Sequence, residues 1–457
     1  MFRSLAVAAG FATLVLTGSI ELVSQTWTPV VGNRAIYSLC VNPKDPRVVY
    51  AGNLARLCLR SNDGGATWQD LEIGSWGGNS QIMLMAVHPV DTSIIFAGGQ
   101  GLDGLSRSTD GGLTWNTVLK SPDASRLEVA GSSALAFHPT APDTVYAVKF
   151  SNGQLFRSAD KGATWDTLST IPGLAGTDRI RAITVCPDSA NVIIASGRRA
   201  YMHRSTDGGH TWTSATVSYS VHPDVDIANF VWSPSIPGTV YATAQRSLYQ
   251  NSPGAGLFRS TDHGLTWASW RFVDTSLYAL NVHATKNGDE IFVGGNQVLF
   301  PPDSGRIKGD SIVLRNPNGG EMWQDLSDAP WMMNERGDMG VNVWAFAVTE
   351  RGGLPVLLMA TDGGIYTSTN ITKVETYPST TSQPKVTIWS DGESLFLNDV
   401  VNADDGPMQY MITDIQGRVT DRGSVTAQPL SIRHLEHGTY LVVCTSTTGQ
   451  RTFLFQR

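Results

Sequence analysis

The chain reads as all-β: a seven-bladed β-propeller followed by a small Ig-like β-sandwich. Two observations lead there. An eight-residue pattern, S-x-D-x-G-x-T-W, recurs five times at close to the period of one four-stranded blade. No part of the 457 residues carries a long apolar stripe of helical period. The full copies are 61–68 (SNDGGATW), 108–115 (STDGGLTW), 158–165 (SADKGATW), 205–212 (STDGGHTW) and 260–267 (STDHGLTW). A sixth, 316–323 (NPNGGEMW), keeps the second Gly and the Trp but loses the Asp and Thr. Successive Trp residues are 47, 50, 47, 55 and 56 positions apart.

Each period has one grammar. An apolar strand ends in a turn with Pro, as in MLMAVHP (83–89), ALAFHP (134–139) and RAITVCP (181–187). A second strand follows, as in SIIFAGG (93–99), TVYAVKF (144–150) and NVIIASG (191–197). A shorter third strand runs into the box, and the fourth begins at its Thr-Trp. In the box the Asp carboxylate accepts turn N–H groups and the Trp supplies an apolar plate between blades. Asp63, Asp110, Asp160, Asp207 and Asp262 are therefore read as turn residues, not as catalytic or metal-binding ones. The residue after the Asp varies (Gly64, Gly111, Lys161, Gly208, His263) while the next is always Gly. That predicts a positive φ at the second position only.

The boxes supply six blades. A seventh period follows in NVWAFAVTE (342–350), LPVLLMA (354–360) and GGIYTSTN (363–370), with no Thr-Trp after it. Thr26-Trp27, at the other end, is a box ending with no box before it. The N-terminal strand 26–30 is thus expected to complete the last blade beside 363–368, leaving no free edge.

The predicted organisation is a signal peptide at 1–24, the propeller at 25–374, a Pro/Ser/Thr-rich linker at 375–385 and the sandwich at 386–457. Arg3 followed by the apolar run 5–16 gives the signal-peptide pattern, and no later stretch reads as transmembrane. After the linker come seven short strand candidates with no box and no internal period. A net charge of −7 excludes a generic nucleic-acid binder. The 46 Gly belong to hairpins, with no phosphate-binding fingerprint, so no cofactor is expected. Four Cys do not make a disulfide scaffold; Cys40 and Cys58, two strands apart in one blade, are beyond disulfide reach. Free, mostly buried thiols are expected, and no metal centre. His88 and His138 share a turn position before Pro and read as structural.

The boxes resemble the Asp-box (BNR-like) repeats of secreted propellers, which occur in sialidases, xyloglucan-cleaving glycosidases, the sortilin ectodomain and a photosystem assembly factor. The resemblance covers about 26–370 and implies the propeller fold, which hosts both enzymes and binders. The tail resembles the C-terminal sorting domain of the type IX secretion system, in YMITDIQGRV (410–419), in Leu435 before Gly438-Thr439-Tyr440, and in the final strand ending at Arg457. This resemblance implies the type IX machinery as a partner, an extracellular or outer-membrane surface location after Sec export, and release or anchoring there.

Because the boxes occupy one face of the ring, ligand candidates are sought in the irregular loops of the other. Trp76, Tyr249 and Trp331 are aromatics outside the box role. Arg179, Arg181, Arg198, Arg199, Arg246 and Arg336 are the neighbouring cations. Asp178 or Asp226 facing Glu335 or Asp338 would make the carboxylate pair a glycosidase needs. Position allows Arg181, Arg198 and Arg246 to form the Arg trio that sialidases need, but spacing does not require it, and the Arg-Ile-Pro start typical of that family is absent. The preferred reading is a non-catalytic surface propeller that binds a glycan or surface protein through its long-loop face. The alternative is a secreted glycoside hydrolase, sialidase-like or endo-β-glucanase-like, working on the same face.

Overall fold

The computed structural model describes residues 27–368 apart from 55–56, 74–79, 102–103, 121–127, 173–178, 218–224, 247–253, 274, 296–312, 321–322 and 328–341, together with the strand residues of the C-terminal unit between 387 and 456. Among the described residues there is no helix, and none long and apolar enough to cross a membrane. The chain divides into two units, Met1–Val374 and Glu375–Arg457.

The first unit is a seven-bladed propeller. Blade one is the antiparallel meander Ile36–Val41, Val49–Asn53, Leu57–Ser61 and Gln69–Glu72. Blades two to six span 81–119, 135–170, 180–214, 225–271 and 277–325. Blade five gains a fifth strand, Thr216–Val217, parallel to Thr266–Arg271. Blade seven is Val343–Arg351, Leu354–Thr361 and Gly364–Ser368, and its fourth strand is Thr28–Gly32 from the other end of the chain. The ring thus closes where the orphan Thr-Trp indicated, with Thr28 opposite Thr367 and Gly32 opposite Gly364.

Second strands are buried along their whole length in blades one, three and four (Val49–Asn53, Val145–Val148 and Ile193–Gly197), because a neighbouring blade covers each face. That is why they read as continuous apolar runs rather than alternating ones. The seven Trp plates lie in successive blade junctions. Trp68 packs against Ala347, Val356 and Leu358 of blade seven, Trp115 against Tyr50 and Leu71 of blade one, and Trp323 against Tyr241 and Leu257 of blade five. Trp27 takes the same place between blades six and seven, among Phe292, Val313, Leu326, Phe346 and Met359.

The box turn is one hydrogen-bond unit copied five times. In the first copy Ser61 Oγ donates to Asp63 Oδ1 (2.8 Å) and accepts Gly65 N (2.8 Å). Asp63 Oδ1 accepts Thr67 N (2.9 Å), Oδ2 accepts the Thr67 hydroxyl (2.6 Å), and Trp68 Nε1 donates to Gly65 O (3.1 Å). In the fourth copy Trp212 Nε1 reaches Ser169 Oγ instead, which relays to Gly209 O. One expectation needs correction. Both residues after the Asp are left-handed, at φ +71 and +80 for Gly64 and Gly65, and Lys161 (+59) and His263 (+58) adopt this conformation without being Gly. Each gains a contact to the preceding blade: Lys161 Nζ to Asp91 Oδ2 (3.4 Å) and His263 Nε2 to Asp188 Oδ1 (3.3 Å). These inter-blade contacts help hold a backbone conformation that costs a non-Gly residue about 1–3 kcal/mol.

A second clasp, not anticipated, uses the residue before each box. Arg60 Nη1 donates to Gly111 O (3.3 Å), Arg107 Nε to Lys161 O (2.8 Å) and Arg204 Nε to His263 O (2.9 Å), each reaching the next blade's box. The signal stands in the sequence as an Arg preceding every box Ser: Arg60, Arg107, Arg157, Arg204 and Arg259.

The turns also set an acid limit. At Asp63 and Asp160 partial burial pulls the carboxyl upward, but bonds from the box Thr, the Ser and the turn backbone outweigh it and hold each at about 2. At Asp110 the Thr114 hydroxyl leads, and the result is again about 2. Asp207, led by its Thr211 hydroxyl bond, and Asp262, where the same bonds outweigh burial, also lie below the usual range. A carboxyl lowered by folding stabilises the fold above its unfolded value of 3.8, and that contribution is lost as pH falls through the folded value. Acid unfolding followed by Trp fluorescence is expected to steepen between about pH 4 and 2. The triple change Asp63→Asn, Asp110→Asn, Asp160→Asn should flatten that slope. An unchanged slope would refute this account of the box.

The C-terminal unit contains all seven expected strands in two sheets. Thr387–Ser390, Ser394–Asn398 and Leu430–Ser431 form one; Val419–Ser424, Gln409–Asp414, Thr439–Ser446 and Gly449–Gln456, in that order, form the other. The expected Ig-like sandwich is not resolved as a distinct domain; the backbone pairing defines the two sheets.

Candidate functional site

The meander puts the boxes and the first-to-second-strand turns on one face, and the starts of the innermost strands on the other. The chemistry gathers on that second face. In six of the seven blades the innermost strand carries a bulge near its start, at Ile36/Ser38, Gln81/Leu84, Ile180/Ala182, Ile227/Asn229, Leu277/Ala279 and Val343/Ala345. A bulge re-aims side chains. In blade four the bulged residue is Arg181. Gly197 makes this packing possible, because a Cβ there would stand 1.9 Å from Arg179 O.

Arg181 Nε donates to Asp226 Oδ2 at 3.2 Å, from blade four to blade five. Arg198 bridges Asp226 through the backbone, and its N donates to Arg179 O (2.9 Å). The Arg179 and Arg181 guanidiniums lie over the Phe150 ring of blade three, 5.0 and 4.8 Å from its centroid. Asp226 is 7 % exposed, and its Oδ1 is buried with no hydrogen-bond partner. Burial raises its pKa above the usual carboxylate range, against the opposing charges of Arg181, Arg198 and Arg179. The 3.2 Å contact is long for an N–H···O⁻ bond, which favours about 2.7–2.9 Å. The carboxyl is thus held out of water, with one oxygen on Arg181 and the other unpartnered.

The innermost strands of five blades meet in an aromatic cluster. Tyr37, Met83, Ala228 and Tyr278 pack there with Trp344. The Trp344 ring is 5.3 Å from Tyr37 and 5.0 Å from Tyr278. Ser132 and Ser133 hydroxyls donate to Asn229 Oδ1 (2.5 and 2.9 Å), and Asn229 Nδ2 donates to Tyr278 O (2.8 Å). The Arg181 charge acts on Tyr278, whose pKa burial raises. Asp362 accepts Trp344 Nε1 (2.5 Å) and Asn342 Nδ2 (2.8 Å), and its charge reinforces the burial that raises Tyr37. Arg181 thus links Asp226 to Tyr278, and Asp362 stands at Trp344 and Tyr37 of the same cluster.

Of the sequence candidates, Arg179, Arg181, Arg198 and Asp226 come together. Arg199 sits beside them in a left-handed turn (φ +64), and Arg246 pairs by backbone with Val225. Trp76, Asp178, Tyr249, Trp331, Glu335, Arg336 and Asp338 lie outside the described residues. Asp362, Trp344 and Asn229 were missed. The Asp362 signal was a fourth Asp-Gly-Gly, 362–364, at a strand end with no Thr-Trp after it. Cys40, Cys58 and Cys186 are free thiols; burial raises Cys40 to about 11 and Cys58 to about 12, which leaves those two protonated and unreactive. His88 and His138 serve their turns, their Nδ1 atoms accepting Asp91 N and Ala141 N.

A family model described as Sortilin-Vps10 (sortilin, neurotensin receptor 3) matches residues 103–217 and 153–299. A xyloglucanase of Paenibacillus sp is 26% identical over 364 residues, 68% of this chain and 30% of that protein. Xyloglucanase Xgh74A of Acetivibrio thermocellus is 31% identical over 123 residues, 22% of this chain and 14% of that protein. The crystal structure of an ancestral GH74 enzyme superposes with a TM-score of 0.57 at 15% identity, covering 94% of this chain and 63% of that one. The propeller is related to those of sortilin and the xyloglucanases. This chain spans under a third of the length of the two curated relatives. The preference for a non-catalytic propeller is overturned, because the curated relatives that this chain matches are xyloglucanases.

Proposed function

We propose that the protein is a secreted glycoside hydrolase of the endo-β-glucanase kind, acting on a xyloglucan-like polysaccharide across its loop face. The observation that carries this is Asp226, a buried carboxyl raised in pKa between blades four and five, on the loop side of a xyloglucanase-related propeller. Asp226 donates its proton to the glycosidic oxygen. Asp362, at Trp344 of the aromatic cluster, serves as the second carboxylate, or is replaced in that role by Asp178, Glu335 or Asp338. The arginines hold Asp226 and tune it; a neutral glucan needs no cation trio, which is why the sialidase form of the reading is set aside. The box repeats are of the Asp-box type, the tail is a type IX sorting domain, and the segment 1–24 directs Sec export, so the enzyme works outside the cell or on its surface.

Reducing-end release from xyloglucan, mixed-linkage β-glucan and cellulose, with fluorogenic sialosides as control, tests the activity. Mid-chain cleavage of a β-glucan and silence on sialosides are expected. No turnover on any glucan would refute it. Export is tested separately: removal of 386–457 should trap the protein in the periplasm of a host with a type IX system.

A further inference from the structure

The box face holds a second cluster that the hydrolase reading does not use. We propose that Cys186, Asp188 and His263 form a binding site for a thiophilic divalent cation of the zinc class at the junction of blades four and five. One atom from each residue, the thiol sulfur, a carboxylate oxygen and an imidazole nitrogen, lies within 4.8 Å of the other two. Cys186 Sγ is 2.7 Å from Asp188 Oδ1, and His263 Nε2 is 3.3 Å from the same oxygen.

The repeats show that this trio is a departure from the pattern. Before the Pro of the first turn, blades one, two, three and five place Asn42, His88, His138 and Ser233, and each accepts turn N–H bonds. Only blade four places a Cys there, and only blade five places a His after its box Asp. The two exceptions face each other across one junction. His263 also accepts a left-handed backbone, and its ring packs on Gly238, where a Cβ would come within 2.8 Å. Gly238 N in turn donates to Asp188 Oδ2 (2.9 Å), which orients the carboxylate. The side chains of Asp188 and His263 are 33% and 41% exposed, while Cys186 is buried beneath them. This leaves a solvent side for water as the fourth ligand of a tetrahedral ion. Sulfur, nitrogen and oxygen donors of this kind suit zinc rather than calcium or magnesium. Binding replaces the thiol proton with the metal: the S–H bond breaks, the S–metal bond forms, and one proton leaves to solvent.

The full chain, dialysed against chelator and kept reduced with a phosphine, is titrated with Co²⁺. The expected result is a sulfur-to-cobalt charge-transfer band with tetrahedral d–d absorption, displaced by Zn²⁺. Cys186→Ser should abolish the charge-transfer band, and His263→Gly should weaken Co²⁺ binding at least about tenfold, the order lost with a metal-supporting group. Sister repeats tolerate both replacements, since Ser233 and Gly208 hold the equivalent positions, so circular dichroism should show folded variants. No Co²⁺ binding, a band that survives Cys186→Ser, or binding without a sulfur band would each overturn the site.

Discussion

Replacing Asp226 by Asn is expected to lower kcat on the cleaved glucan by about 10²–10⁴-fold, the range that a positioned general acid supplies. The amide keeps an oxygen to accept Arg181 Nε, so the junction of blades four and five should stay closed and the melting temperature should change little. The pH profile provides an independent readout. Because burial raises the Asp226 pKa, the basic limb of the wild-type profile should lie above the ordinary carboxylate range, and Asp226→Asn should remove that limb from any residual activity. If Asp226 only ties two blades together, the variant, which keeps that tie, would also keep its kcat. Asp362→Asn divides the proposal further: a comparable loss identifies the second carboxylate, and wild-type activity transfers the role to the loop carboxylates 178, 335 or 338.

The second large effect concerns ring closure. Trp27 is 6 % exposed, packs between blades six and seven, and donates from Nε1 to Leu326 O at 2.9 Å. Trp27→Ala should destabilise the propeller by about 3–5 kcal/mol, the usual cost of emptying a buried Trp site. Deleting 1–32 goes further, because it uncovers the edge of Gly364–Ser368 and leaves the last blade with three strands. An exposed edge recruits other chains, so this deletion should also drive association. Denaturant unfolding and size-exclusion chromatography check both. A Trp27→Ala variant within about 1 kcal/mol of wild type, in the range of ordinary surface changes, would mean that the N-terminal strand does not seal the ring.

Much of the propeller was legible because its determinants are local and repeated. The box spans eight residues, its bonds run between positions two to four apart, and five copies expose which positions are required. Even so, Lys161 and His263 misled. Their variability implied a relaxed position, whereas both sit in a left-handed turn, held there with contacts to the preceding blade. The Arg before each box was visible, but its partner is a carbonyl about 50 residues on, which no local pattern identifies.

By itself, then, the sequence determined the strand grammar, the number of blades, the strand that seals them and the face left for ligands, since each follows from turn chemistry and apolar patterning within one period. Tertiary structure alone decided the site. Asp226 meets Arg181 across 45 positions, and both Arg179 and Arg181 rest on Phe150 from a third blade. Nothing local sets those encounters. They arise because the closed ring brings the starts of all the innermost strands around one axis, and bulges there turn selected side chains toward their neighbours. The burial that raises the Asp226 pKa is likewise a property of the assembled junction, where three arginines and the surrounding blades exclude water.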